Sequence, residues 1–194
     1  MNTLSEKLDR RKQFTRMVLK EALMELLKGK PISSVTVKEL CEKANINRST
    51  FYSHYVDPYD LLDKIGKEVF DDMYETLNKY NFQKQDEVLQ MSTKILEYVA
   101  ERSELCQILL SKNGDTSFRK RVTKIIQNFI MNKWMEEHQL GDELSEYIPL
   151  LVVSGGVDAI ESWLANGKKE SPQEMALLIH QFINYGLSGF RKGD

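Results

Sequence analysis

Three helix-start signals fall within Val35–Leu62, VTVKELCEKANINRSTFYSHYVDPYDLL, and together they leave this stretch little freedom in how it folds. Thr36 is placed to N-cap a helix, with Glu39 closing a capping box. Asn47 is placed to cap the next, and Asp57-Pro58 sets a cap before a proline at the first helical position. Apolar pairs at hydrophobic-staple spacing accompany the three starts: Val35 with Leu40, Ile46 with Phe51, and Val56 with Leu61. Starts this close together leave room for roughly two or three turns in each of the first two helices. The spacing therefore predicts short helices joined by tight turns, the second of a kind that can lie in a DNA groove.

Strand signals are nearly absent elsewhere, so the expected fold class is all-α. The first helix is predicted over 9–28, with Phe14, Val18, Ala22, Leu26 and their neighbours on its inward stripe and Gly29 and Pro31 as its stop. Helices are then predicted over 36–43, 48–54, 58–80, 86–101, 104–112, 115–138, 142–166 and 171–190, about nine in all. The last begins with Ser171-Pro172-Gln173-Glu174, which repeats the cap, proline and capping-box order. The expected division is a three-helix head at 1–57 and a helical regulatory and dimerisation body at 58–194.

With 41% hydrophobic and 29% charged residues the composition is that of an ordinary globular chain, which excludes disordered and fibrous classes. No stretch approaches eighteen consecutive apolar residues, and the N-terminal MNTLSEKLDRRKQF lacks a signal-peptide core, so the expectation is a cytoplasmic chain with no membrane partner. Cys41 and Cys106 lack metal-ligand spacing and are expected to be buried free thiols. Charge is unevenly distributed: residues 1–55 hold eleven Lys/Arg against six Asp/Glu, and 56–194 hold sixteen against twenty-three. A basic head on an acidic body fits a polyanionic partner for the head, although a solvated basic surface would give the same count.

The tripeptide Ala44-Asn45-Ile46 forms the expected helix-turn-helix corner, and Asn tolerates the positive φ such a corner needs. Packing Phe51 and Tyr55 inward leaves Arg48, Ser49, Thr50, Tyr52, Ser53 and His54 to face outward. Arg48, Ser49, Thr50 and Ser53 have the chemistry to meet base edges, with Arg48 able to give a guanine two bonds. Tyr52 and His54 can donate to phosphate oxygens, and Thr36 and Lys38, at a helix N-terminus, suit another phosphate. A short amphipathic helix with a solvated face is the competing reading.

The order Thr36-Val37-Lys38-Glu39-Leu40, Ala44-Asn45-Ile46, Arg48-Ser49-Thr50-Phe51-Tyr52-Ser53-His54-Tyr55 and Asp60-Leu61-Leu62 resembles the N-terminal domain of TetR-family transcriptional regulators. The resemblance covers about residues 10–65. It implies a three-helix DNA-binding domain, a connecting fourth helix, a variable ligand-binding body and a homodimer, in most members a repressor that a small molecule releases. Two positions depart from the family pattern: Asn45 stands where glycine is usual, and Pro58 stands where a phosphate-binding lysine is usual. Tyr59 or Lys64 is then the expected replacement contact. The Arg-Ser-Thr-Phe-Tyr wording is also similar to the branch containing activators of dihydroxyacetone kinase genes.

In the body, Leu150, Leu151, Val152, Val153, Val157, Ile160, Trp163 and Leu164 give one helix a broad apolar surface, and Leu177, Leu178, Phe182, Ile183, Tyr185 and Leu187 do the same for the last. Ser154-Gly155-Gly156 would allow close backbone approach. The resemblance implies that these helices pair across a two-fold axis, with Leu151, Gly155, Trp163, Leu178, Phe182 and Tyr185 on the dimer face; burial within one chain is the alternative. Phe70, Met73, Tyr74, Met91, Phe129, Met131 and Trp134 are the candidate lining of a ligand pocket, or plain core. His54, His138 and His180 are scattered, Ser154-Gly155-Gly156 lacks the nucleophile-elbow context, and no phosphate-cradling glycine loop is present, so no catalytic residues and no cofactor or metal are expected. Two readings of control stay open: a small-molecule effector of unknown identity releasing a repressor from a palindromic operator, or an activator or co-regulator controlled through a protein partner.

Overall fold

Apolar residues recurring at helical spacing give a strand pattern nowhere to begin. The computed structural model describes residues 3–80, 86–111, 113–114, 116–127 and 147–186, and these contain nine α-helices and no strand. The order is α1 (Thr3–Leu27), a 3-10 turn (Ile32–Ser34), α2 (Val37–Ala44), α3 (Arg48–Tyr52), α4 (Pro58–Asn78), α5 (Glu87–Glu101), α6 (Ser103–Leu110), α7 (Thr116–Ile126), α8 (Tyr147–Ala165) and α9 (Pro172–Gly186). The remainder of the helix predicted over 115–138 and the start of that predicted over 142–166 lie outside the described residues, as do His138 and Leu187.

Most of the predicted starts form as their local chemistry requires. Thr36 Oγ1 accepts from the Glu39 amide at 3.3 Å, and the Glu39 carboxylate accepts from the Thr36 amide at 3.1 Å. Lys30 adds an ion pair to Glu39 at 2.6 Å, and the Lys30 and Thr36 hydrogen bonds pull the Glu39 carboxyl down to about 2. At α4, Asp57 accepts from the Asp60 amide at 2.8 Å and Asp60 accepts from the Val56 amide at 2.9 Å. Ser171 and Glu174 make the same reciprocal pair at the head of α9, at 3.2 and 2.7 Å.

Other expectations are corrected. Asn47 sits at the N-cap of α3 with extended backbone but makes no side-chain cap hydrogen bond. Val56 is 76% exposed, too open to staple to Leu61, and the entry into α4 is held by the Asp57–Asp60 hydrogen bond. Helix α1 starts earlier than predicted, and its buried stripe runs one residue later, through Thr15, Leu19, Ala22, Leu23 and Leu27. Phe14 is 60% exposed. Thr15 can occupy the interior because its hydroxyl donates to the Arg11 carbonyl at 2.9 Å.

The chain divides into two compact units, Met1–Phe70 with Ile108–Phe118, and Asp71–Gln107 with Arg119–Asp194. This cut differs from a division at 57/58: it falls inside α4, α6 and α7. In the first unit Leu19, Leu23, Leu27, Leu40, Phe51, Leu61, Leu62, Ile65 and Leu109 form a core that excludes water almost completely. The turn after α6 is tied into that unit. Asn113 accepts from the Ile32 amide at 2.9 Å and donates through Nδ2 to the Leu27 carbonyl at 3.1 Å. Gly114 has no room for a side chain, since a Cβ there would lie 2.7 Å from the Ile108 carbonyl oxygen.

The second unit packs α9 along α5. Arg119 pairs with Glu161 at 2.7 Å and with Asp158, joining α7 to α8. Lys168, in the left-handed region at φ 55° just after α8, donates through Nζ to the Ala100 carbonyl at 2.9 Å. Replacing Thr36 by alanine should cost about 1 kcal/mol by removing the cap of α2. Thermal unfolding should then show a Tm lower by ~2–4 °C in a chain of this size; an unchanged Tm would mean the cap does not hold the corner.

Candidate nucleic-acid interface

The corner between α2 and α3 turns on Asn45, whose φ of 54° and ψ of 47° place it in the left-handed region. This conformation lets the Ile46 amide reach back to the Cys41 carbonyl at 3.0 Å, a Schellman-type closure. Helix α3 has only five residues, too few to hold together alone. It is anchored by Phe51, fully buried, with the Tyr55 ring 5.8 Å away and the Tyr52 ring edge-on at 5.5 Å. Fixing Phe51 inward turns Arg48, Ser49, Tyr52 and Ser53 out to solvent and leaves Thr50 and His54 half-buried.

The outward groups differ in how much bonding capacity they retain. Ser53 already donates its hydroxyl to the Thr50 carbonyl at 2.7 Å, so toward a base or phosphate it offers an acceptor first. Thr36 donates to Glu39 Oε2 at 2.9 Å and is foremost a structural cap. Lys38 sits 3.9 Å from Glu42 with both side chains well exposed, a weak pair that an anion can displace. Tyr52 and Tyr59 are exposed, whereas Lys64 is engaged: it bonds Asp60 at 2.9 Å and the His54 carbonyl at 3.2 Å and lies over the Tyr55 ring at 4.9 Å. Of the two replacements expected at the place Pro58 occupies, Lys64 is held by Asp60 and the His54 carbonyl, and Tyr59 is exposed.

Sequence reasoning missed the contribution of α1. An open groove between α1 and the corner is lined by Arg11, Phe14, Lys38, Asn45, Arg48 and Thr50. Burial, and then the positive charges of Arg16, Lys12 and Lys64, hold the His54 imidazole below its ordinary range. The signal was the i, i+4 pair Lys12 and Arg16, which reads as solvated surface until the fold sets it beside His54. The face that carries Arg48 is thus continuous with basic residues of α1, an arrangement suited to a polyanion.

In the second unit, Leu151, Leu178, Phe182 and Tyr185 are exposed, at 73%, 58%, 68% and 77%, and Gly155 is exposed beside them. Trp163 is a correction: only 4% exposed, it donates through Nε1 to the Glu170 carbonyl at 2.9 Å and belongs to the protomer core. Of the described candidate pocket residues, Phe70, Met73 and Tyr74 sit on α4 and Met91 on α5. Phe70 lies in the first unit, its ring 5.0 Å from that of Phe118; Tyr74 is 62% exposed, Met73 and Met91 are half-buried, and Phe129 and Trp134 lie outside the described residues. A cavity in the second unit is lined instead by residues of α5, α8 and α9 and by Ile126.

Residues 86–185, just over half of the chain, match the family model TetR_C_8, described as a transcriptional regulator C-terminal region. The chain belongs to the TetR family of transcriptional regulators. Over 64 residues it is 39% identical to an uncharacterized HTH-type transcriptional regulator, YxbF, of Bacillus subtilis, a match covering 33% of this chain and 16% of that protein. Its fold is similar to that of a TetR transcriptional regulator from Streptococcus agalactiae, with a TM-score of 0.73 at 20% identity over 92% of this chain and 98% of the other. It is also similar to the dihydroxyacetone kinase operon activator DhaS, with a TM-score of 0.55 at 17% identity over 92% and 98% of the two chains. At these identities the structural likenesses show the all-α TetR fold and nothing finer.

The depressed His54 value has a definite consequence for stability. Its folded pKa lies below its unfolded one, so the unfolded chain takes up the proton first, and stability falls as pH drops through 6.5 toward the lower folded value. NMR titration should give a His54 midpoint below 6.5, and Arg16→Gln should move it upward; a midpoint at or above 6.5 would remove the basic surroundings assigned here.

Proposed function

We propose that this TetR-type DNA-binding regulator is a cytoplasmic homodimer that reads a palindromic operator as a repressor and is released by a small molecule bound in its body. The observation that carries the DNA-reading part is the outward display of Arg48, Ser49, Tyr52 and Ser53 by α3 and its C-cap, with Phe51 buried on the opposite side. Arg48 is the base-reading group, able to give a guanine two hydrogen bonds, with Ser49, Thr50 and Ser53 completing the base contacts. Lys38, Tyr52, His54 and Tyr59 position the helix on phosphates, Thr36 supports them at the head of α2, and Lys12 and Arg16 of α1 extend that set. Repression needs only occupancy of the operator, whereas activation needs a further surface for polymerase.

Dimerisation is supported by the hydropathy of α8, long and apolar enough to cross a membrane by length and composition alone. Its apolar character serves two faces: Val152, Val153, Val157 and Trp163 are buried in the protomer, and Leu150 and Leu151 are left exposed. With Leu178, Phe182 and Tyr185 of α9 these form an apolar surface of the kind that pairs with a second copy. One α3 reads too few base pairs for a unique site; two set ~34 Å apart read a palindrome.

Two measurements test this reading on a duplex selected from a random library. Arg48→Ala should lower discrimination between the selected and a scrambled duplex by ~1–3 kcal/mol while leaving weak, salt-sensitive binding; undiminished discrimination would remove Arg48 from the base-reading role. Gly155→Leu should shift sedimentation from dimer to monomer and, with it, lower operator affinity at least tenfold, about 1.4 kcal/mol. A variant that stays dimeric would place the interface elsewhere.

A further inference from the structure

We propose that Phe14 of α1 is a further base-reading residue, its ring packing on the 5-methyl group of a thymine in the major groove beside the guanine assigned to Arg48. The proposal rests on the DNA-reading role proposed above for the corner, and adds to it a second base and a third helix.

The helical stripe of α1 predicts a buried Phe14, and the fold leaves it 60% exposed. A single exposed apolar side chain needs no explanation by itself. The surroundings of this one give it meaning. Phe14 lines the same open groove, between α1 and the corner, as Lys38, Asn47, Arg48 and Thr50. Arg11, Lys38 and Arg48 outnumber Glu42, the one acidic residue among the described lining residues, and Glu42 is tied only loosely to Lys38 at 3.9 Å. Asn47 stands at the N-cap of α3 without capping it, so its exposed amide keeps bonding capacity for whatever enters. Along α1 the ring is interleaved with cations in the order Arg10-Arg11-Lys12-Gln13-Phe14-Thr15-Arg16, and all of these but Thr15 are exposed. Charge of this sign, with spare polar groups beside it, favours a polyanion as the partner that covers the ring.

On a duplex, the chemistry of a phenyl ring narrows the contact. The ring has no N–H or O–H to give a phosphate oxygen, so the cations beside it take the phosphates. The major groove displays an apolar group on one base, the thymine 5-methyl, and phenylalanine is among the side chains that pack on it. Arg48 and Thr50, which share the groove with Phe14, are the residues assigned to base edges there. The thymine is therefore a neighbour of the guanine that Arg48 reads. Covering one methyl is worth about fourfold in affinity. Phe14 thus reads a base by its shape, where Arg48 reads one by hydrogen bonds.

The test is binding of the full chain to the duplex selected from a random library, with each thymine replaced in turn by deoxyuridine. That change removes the methyl and leaves the hydrogen-bonding edge as it was. The native chain should lose about fourfold at a thymine beside the guanine read by Arg48. Phe14→Ala should bind the thymine and deoxyuridine duplexes alike, yet still discriminate against replacement of that guanine. Arg48→Ala should show the reverse pattern, and Phe14→Leu should recover part of the methyl effect. Because Phe14 is exposed, both of its variants should keep the native helicity. No methyl effect in the native chain would overturn the proposal, as would one that survives in Phe14→Ala, which would pass the methyl to Thr50. Equal weakening of both duplexes by Phe14→Ala would also overturn it, since a ring that only supports the head or touches the backbone cannot tell thymine from deoxyuridine. Those failures leave the corner's base reading intact. A native chain that binds selected and scrambled duplexes alike would remove that reading, and this contact with it.

Discussion

The burial of Phe51 is the interaction on which the outward surface of α3 depends. Helix α3 has a single turn and a half, and an isolated helix of that length is unstable in water. Its geometry is therefore borrowed from the side chain it buries and from the left-handed Asn45 that sets its entry angle. Because the anchor is one aromatic ring, every outward side chain is positioned relative to that ring. An altered core beneath Phe51 would be read directly as a rotated Arg48.

Electrostatics is layered on that anchor. The overall charge of −2 gives no hint of a polyanion partner, yet α1 and α4 bring Lys12, Arg16 and Lys64 around His54. Lys64 spends much of its charge internally on Asp60, and Lys38 is only loosely tied to Glu42. The surface thus contains structural cations, which hold helix starts in place, and available ones, which can exchange an internal carboxylate for a phosphate. That distinction depends on partner geometry and not on residue type.

What the sequence made legible was what short-range chemistry decides. The Thr36–Glu39 and Ser171–Glu174 boxes, the Asp57-Pro58 start and the Asn45 corner are each specified within a few residues, and each forms. Failures occur where a residue's role depends on a distant neighbour. Phe14 fits a helical stripe as well as Thr15 does, and only the packing of α1 against α2 chooses between them. Trp163 has the hydrophobicity of an interface residue, but a carbonyl seven positions on gives its indole a partner inside the protomer. The cavity in the second unit was hidden for a related reason: most of its walls are Val and Ile, ordinary core residues drawn from helices far apart in sequence.

The turn at Asn113-Gly114 changes what counts as the head. Although it lies more than forty residues beyond α3 in sequence, the compact unit that contains α3 also contains this turn, and the last turn of α1 and the 3-10 turn are both hydrogen-bonded to it. A fragment ending anywhere in α4 would leave the Leu27 carbonyl and the Ile32 amide without these partners and uncover the apolar surface that Leu109 seals. The same holds for a chimera that grafts this head onto another body. Its seam must carry residues 108–118 across with residues 1–70, because the DNA-reading end of this chain is a discontinuous module, inherited as two pieces or not at all.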